Sequence, residues 1–312
     1  VLMSAEGKQA EEKGGEEPLA GGGDSKATWT QIDFSEVEMG DKIGGGGVGV
    51  IYRGWYKDKE VALKTLFDPK VDDELMKEYM DELLIMSQLE HPNIVSFLGA
   101  SMTPPNLFFV MELCQNSLFD MLHEQRLEFT AYERVQIAND VACAMQYLHE
   151  NKIIHRDIKS HNLLVAPGGI VKLCDFGLVK TKNTQAGTPA YMAPELLENA
   201  SFNKSVDVYA FGILLWELFT GEVPFAGYEI PDIITQVTSG NRLRVPTVDT
   251  PVEIRRMIED CWAQDPKARP SFPDILVVLD GLLKDMPQQS EVDLLAEDGG
   301  GDALDDILFS GK

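Results

Sequence analysis

The chain has 312 residues, with 27 Lys and Arg against 51 Asp and Glu and a net charge of −24. Binding a nucleic-acid backbone or an anionic membrane surface requires clustered cations, so neither partner is expected. A chain of this length commonly divides into two lobes rather than building one core.

Residues 1–30 are rich in Gly, Glu, Lys and Ala and hold too little apolar surface to offset the entropy of ordering, so disorder is expected there. From Trp29 the pattern changes, and short strands are expected through Lys64. Leu75, Tyr79, Leu83, Met86 and Leu89 recur at helical spacing, which predicts an amphipathic helix between Asp72 and Leu89. Two strands are read at Ile94–Leu98 and Leu107–Leu113, joined by a turn at Thr103-Pro104-Pro105-Asn106.

After Ser117 the character becomes helical, with helices expected over Tyr132–Glu150, Val206–Thr220, Ile230–Ser239, Val252–Ala263 and Phe272–Asp285. The most apolar run, Val208–Phe219, is too short to span a bilayer and reads as a buried helix. Residues 285–312 carry eight acidic side chains and one Lys, and read as a disordered acidic tail, with a docking motif around Asp305–Phe309 as the alternative. Cys114, Cys143, Cys174 and Cys261 form no C-x-x-C pair, which suits a reduced cytoplasmic setting. A strand-rich first third and a helix-rich remainder describe an α+β protein.

Further strings carry chemistry. Ile43-Gly44-Gly45-Gly46-Gly47-Val48-Gly49-Val50-Ile51 fits G-x-G-x-x-G-x-V with Ile51 at the last position, and the strand Val61-Ala62-Leu63-Lys64 follows it. His155-Arg156-Asp157-Ile158-Lys159-Ser160-His161-Asn162 is followed, thirteen residues after Asn162, by Asp175-Phe176-Gly177. Ala193-Pro194-Glu195 closes the segment that Asp175 opens. A lone glycine motif carries little weight; four motifs in this order do not arise by chance.

These residues resemble those of a protein kinase over about residues 34–283. The resemblance implies a bilobal fold: a small antiparallel β-sheet lobe with one helix (31–113) and a larger helical lobe (114–284). It implies ATP as phosphoryl donor, Mg²⁺ or Mn²⁺ as metal, and protein substrates. Gly44, Gly46 and Gly49 lack Cβ atoms, which lets backbone N–H groups lie close over phosphates. Lys64 would bind the α- and β-phosphates. The predicted helix alone does not choose its carboxylate partner among Glu78, Asp81 and Glu82; the resemblance selects Glu82.

Asp157 would accept the substrate proton, Lys159 would steady the γ-phosphate, and Asn162 with Asp175 would hold metal. The adenine would meet Glu112, Leu113 and Cys114, inside walls made by Ile43, Ile51, Ala62, Leu164 and Met111, with Met111 as gatekeeper. Cys174 reads as an inert buried thiol. Met86, Phe97, His155 and Phe176 would stack as a spine, although core packing explains Met86 and Phe97 equally well. Asp207 would anchor the loop of the base, and Arg269 would pair with Glu195.

His91-Pro92-Asn93-Ile94-Val95-Ser96-Phe97-Leu98-Gly99-Ala100, Ile158-Lys159-Ser160-His161-Asn162 and Cys261-Trp262 are similar to the tyrosine-kinase-like group that includes Raf and mixed-lineage kinases. Lys159 and Gly187-Thr188-Pro189 favour Ser/Thr over Tyr as acceptor, with dual specificity as the alternative. Val48 replaces the aromatic residue common at the tip of the glycine loop. Arg156 beside Asp157 implies control by an upstream kinase, with Thr181 and Thr184 as phosphosites and Thr188 as a structural hydroxyl near Asp157 and Lys159. A catalytically silent binding module would be expected to lack Lys64, Asp157 or Asp175; a small-molecule phosphotransferase would lack the Gly187–Glu195 peptide-docking segment.

Overall fold

The computed structural model describes residues 29–46, 49–66, 73–103, 106–179 and 187–286. The expected disordered ends, the Pro104-Pro105 turn, Val48, Thr181 and Thr184 lie wholly or largely outside them.

The first part of the chain forms a five-stranded antiparallel sheet in the order β1-β2-β3-β5-β4. Its strands are β1 (Val37–Gly46), β2 (Gly49–Tyr56), β3 (Lys59–Leu66), β4 (Phe97–Thr103) and β5 (Asn106–Glu112). Lys57 and Asp58, both at positive φ, make the two-residue turn between β2 and β3, the turn whose twist matches that of the strands. Leu107–Met111 is buried at every position, as expected of a strand covered on both faces. One cover is the helix α1 (Asp73–Met86), which buries Tyr79, Leu83, Ile85 and Met86.

The second part is mainly helical: α2 (Ala131–Glu150), α3 (Pro194–Leu197), α4 (Ser205–Thr220), α5 (Ile230–Thr238), α6 (Val252–Cys261) and α7 (Phe272–Asp285). Thr130 and Glu133 cap α2 reciprocally, the side chain of each bonded to the other's backbone N–H. Every residue of Val206–Phe219 is buried, so α4 is the axis of this lobe. Gly221, at φ 69°, ends it with a backbone N–H to the carbonyl of Glu217. The far end of α2 meets the start of α7, where His149 stands edge-on to Phe272 with ring centroids 5.1 Å apart.

Two details depart from the sequence reading. The strand expected at Ile94–Leu98 begins only at Phe97; Asn93–Val95 instead pairs with the large lobe, through Leu173 N–H to Asn93 O (2.9 Å) and Val95 N–H to Leu173 O (3.0 Å). Ile94 and Val95 are apolar because they are buried at this junction, not because they belong to β4. The helical region also contains a three-stranded sheet of β6 (Asn116–Ser117), β7 (Leu163–Val165) and β8 (Val171–Leu173). Strands of two or three residues are too short to show a period.

Candidate active site

The glycine motif is the hairpin end of β1 and β2, with Gly44 opposite Ile51 and Gly46 opposite Gly49. A Cβ on Gly49 would stand 2.7 Å from the carbonyl oxygen of Thr65, so the approach of β2 to β3 requires its absence. Across the sheet, Ile51, Lys64 and Phe109 are neighbours in register, as are Ala62 and Met111. Ile43 is exposed, Ala62 and Met111 are buried, and Ile51 and Leu164 are half-buried.

Lys64 Nζ lies 2.6 Å from Glu82 Oε1 and 3.8 Å from Asp175 Oδ1. Glu82 therefore makes the pair with Lys64, as the resemblance implies. One turn earlier, Tyr79 stacks on Phe109 with centroids 4.3 Å apart, which fixes the face α1 turns to the sheet. Burial opposes the charge on Lys64, but Glu82 and Asp175 outweigh it and its pKa is raised. Burial likewise works against ionisation of Asp175, yet Lys64 and then His155 hold its carboxyl below the usual range. Asp175 adopts φ 66°, a left-handed conformation unusual for a residue with a side chain.

Asp157 sits in a cage of donors. Its Oδ2 accepts from Lys159 Nζ (2.7 Å) and Asn162 Nδ2 (2.9 Å), and its Oδ1 from the Thr188 hydroxyl (3.1 Å). Lys159 Nζ also reaches Thr188 Oγ1 at 2.8 Å. Each carboxylate oxygen has two acceptor sites, so Oδ1 keeps one for a further proton donor. The loop is anchored by Asp207, which takes the backbone N–H of His155 (3.0 Å) and of Arg156 (2.8 Å). Phe176 meets His155 edge-on at 5.2 Å, and Met86 is buried in the same core. Phe97 packs edge-on to Phe109 at 6.0 Å.

Arg156 donates to the carbonyl of Leu178 (3.2 Å) and lies over the ring of Phe202. Arg269 grips Glu195 with two bonds of 2.7 and 2.9 Å. Burial pushes the Cys174 thiol far up, and pushes Cys114 up to about 12 with help from Glu112.

Three arrangements escaped the sequence reading. Glu217, fully buried on α4, accepts from Ser160 Oγ (2.7 Å) and Tyr191 OH (2.6 Å) and lies 2.9 Å from His123 Nε2. Lys172 on β8 pairs with Glu112 at 2.8 Å, joining the large lobe to the end of β5. His149 Nε2 lies 2.8 Å from Asp207 Oδ2. A Glu within the most apolar helix was the available signal for the first; the other two have none in local pattern.

Among the described residues no group of three or more His, Cys, Asp or Glu could cage a metal. The donors at this site are instead one carboxylate, Asp175, and the amide of Asn162, whose nitrogen is committed to Asp157 so that Oδ1 is left as ligand. A sparse set of hard oxygen donors fits a divalent cation that draws its other ligands from phosphates and water. No described helix is long and apolar enough to cross a membrane.

Residues 37–279 match the family described as protein tyrosine and serine/threonine kinase. A probable serine/threonine-protein kinase of Dictyostelium discoideum is 42% identical over 258 residues, 80% of this chain and 28% of its own length. Arabidopsis thaliana supplies two similar proteins, both named serine/threonine-protein kinases. STY17 is 36% identical over 265 residues, 82% of this chain and 46% of its own. CTR1 is 38% identical over 277 residues, 84% of this chain and 34% of its own. The chain thus spans less than half the length of each of these relatives. It belongs to the protein tyrosine and serine/threonine kinase family, and within that family it resembles the tyrosine-kinase-like group.

Proposed function

We propose that the protein transfers the γ-phosphoryl group of ATP to serine and threonine hydroxyls of protein substrates in intracellular signalling. The observation that carries this reading is the assembled set itself. Lys64 is paired with Glu82 and lies near Asp175, while Asp157, Lys159, Asn162 and Thr188 form one bonded cluster.

Phosphoryl transfer needs placement and charge neutralisation more than covalent chemistry from the protein. Lys64, held by Glu82, binds the α- and β-phosphates, and the backbone of Gly44–Gly49 covers them. Glu112, Leu113 and Cys114 offer backbone groups to adenine between Ile43, Ile51, Ala62, Met111 and Leu164. The acceptor hydroxyl donates to the free site on Asp157 Oδ1 and passes its proton there as its oxygen attacks. Lys159 neutralises the γ-phosphate from beside Asp157.

Asn162 Oδ1 and the Asp175 carboxylate are the groups to hold a divalent cation, Mg²⁺ first and Mn²⁺ as substitute. When bound, it supplies positive charge against the phosphates. A phosphate placed on Thr181 or Thr184 by an upstream kinase is the proposed partner of Arg156, because guanidinium and phosphate pair through two bonds. The four cysteines without a C-x-x-C pair favour a reducing, cytoplasmic location.

The test is transfer of labelled γ-phosphate to a generic basic protein, comparing wild type with Asp157→Ala and Lys64→Met, followed by phosphoamino-acid analysis. Label on Ser and Thr that both substitutions abolish is the expected result. Label on Tyr would turn the reading to dual specificity. Absence of transfer while ATP still raises the melting temperature would turn it to a nucleotide-binding module.

A further inference from the structure

We infer that the cavity between the start of α2 and the end of α4 is a docking site for this chain's own acidic tail, with Asp305 and Asp306 on its arginines and Ile307, Leu308 and Phe309 on its apolar wall. Nothing in this contact depends on the phosphoryl-transfer reading.

The cavity has a volume of about 890 Å³ and opens between the stretches 122–134 and 218–226. Its walls are of two kinds. Leu127 and Phe129, both half-buried, and the exposed Val223 present apolar surface. Arg126 and Arg134 supply cations, and Glu128 and Glu222 supply anions. These charges cancel in number but not in burial. Glu128, Glu222 and Arg126 are exposed, where water and salt screen them, whereas Arg134 is half-buried.

Arg134 is short of partners. A guanidinium carries five N–H donors and keeps its charge. The group makes one long bond, from Nη1 to the carbonyl of Phe219 at 3.4 Å, and its Nε is buried without an acceptor. Burial lowers its pKa, against Asp249, Glu128 and Glu133 acting through space, and none of the described carboxylates comes within ion-pair reach of it. An underbonded guanidinium in a partly dry wall is a receptor for a carboxylate, which it can hold through two parallel bonds.

The tail carries the matching chemistry. Residues 287–312, outside the described residues, hold seven acidic side chains against one Lys. Asp305-Asp306-Ile307-Leu308-Phe309 sets two carboxylates directly before three large apolar side chains, the same two kinds of surface that the cavity offers. A neighbouring cavity of about 220 Å³ shares Leu127 and Phe129, but its charged residues are Glu133 and Asp140, which repel an acidic segment.

Reach agrees with chemistry. The helix α7 runs back along α2: Phe272 at its start meets His149 in the last turn of α2, and Asp280 is near enough to Cys143 to raise the pKa of its thiol. The chain therefore leaves α7 heading toward the start of α2, where Arg134 stands. Residues 287–304 can bridge up to about 60 Å, twice the length of α2, about 30 Å. Tethering gives the motif an effective concentration on the order of 1 mM, so a contact of modest affinity is populated. His123, also in the wall, shares Glu217 Oε1 with Ser160 (2.9 and 2.7 Å), so a tail seated here stands one bonded link from the catalytic loop.

The experiment places the photo-crosslinking residue benzoylphenylalanine at position 309 of the whole chain and locates its products by peptide mapping. Cross-links to 122–134 or 218–226 within one molecule are expected. They should fall by about fivefold or more in Asp305→Asn/Asp306→Asn and in Arg134→Gln. Glu297→Gln/Asp298→Asn removes the same charge outside the motif and should leave them within about twofold. With Phe309 in place, amides 124–134 should exchange on the order of threefold faster in Asp305→Asn/Asp306→Asn than in wild type. The two tail substitutions decide the matter even where Arg134→Gln is unstable.

Absence of cross-links to the cavity, cross-links scattered over the surface, or an equal loss in the charge control overturns the inference. So do cross-links that join two copies and grow with protein concentration, because the occupant would then be a second molecule.

Discussion

Thr188 Oγ1 donates to Asp157 Oδ1 at 3.1 Å while lying 2.8 Å from Lys159 Nζ, so one hydroxyl spans the carboxylate and the cation of the same cluster. It closes one of the two acceptor sites on Oδ1 and leaves the other for a further donor. Thr188→Val keeps the shape and removes this bond. We expect kcat to fall by a factor on the order of 10², because small displacements of a base are costly, with KM for ATP little changed. Thr188→Ser should retain most activity. Equal activity of the Val and wild-type proteins in initial-rate assays would exclude the bridging role.

The signs of the shifts at Lys64 and Asp175 predict a pH dependence. Asp175 is depressed in the fold, so its stabilisation is full above the unfolded value of about 3.9 and is lost as pH falls through the folded value. Lys64 is raised, so its contribution is full below the unfolded value of about 10.4 and is lost as pH rises through the folded one. Neither group changes charge between about pH 5 and 9. The melting-temperature difference between wild type and Asp175→Asn should therefore be flat across that window and shrink as the pH drops below about 4. A difference that persists undiminished at about pH 2.5, below the unfolded carboxylate pKa, would refute the assignment.

Arg269 and Glu195 are both buried, and removing one leaves the other charged and unpaired. Arg269→Ala should cost about 3–5 kcal/mol of unfolding free energy, measured by urea denaturation. Arg269→Lys should recover only part, since an ammonium cannot reproduce the two-point grip. A loss below about 1 kcal/mol in the Ala variant would place the pair among weak surface bridges.

All four thiols are shifted up, with burial the first cause in each: Cys114 to about 12, and Cys143, Cys174 and Cys261 in the same direction. Alkylation proceeds through the thiolate, so at pH 7.5 the folded protein should react much more slowly than the urea-unfolded chain. Cys174, although adjacent to Asp175, should not be a fast-reacting site. Rapid stoichiometric labelling of Cys174, located by peptide mapping, would contradict this.

Much of the fold was legible because its signals are local and repeated. The helices α2, α4, α5, α6 and α7 were found to within two residues, since each shows an apolar period or an unbroken apolar run. Candidate site residues could be picked out because glycine spacing and an ordered series of motifs survive in one dimension, and the fold brings Lys64, Glu82 and Asp175 together. Ile94 and Val95 misled because an apolar pair looks the same whether it completes its own sheet or roots in the other lobe. Glu217 and His149 were missed for a related reason. Each belongs to a bond between segments 57 or more residues apart, and nothing next to them in sequence announces the partner.

The attachment of Asn93–Val95 to β8 has a mechanical consequence for the cleft. The stretch that follows α1 is fastened to the large lobe, whereas Lys64 is fastened to the sheet of the small one. The 2.6 Å contact between Lys64 and Glu82 therefore ties a residue fastened to the small lobe's sheet to a helix whose following stretch is moored on the large lobe, so any displacement between those two attachments would be felt first as strain on this ion pair.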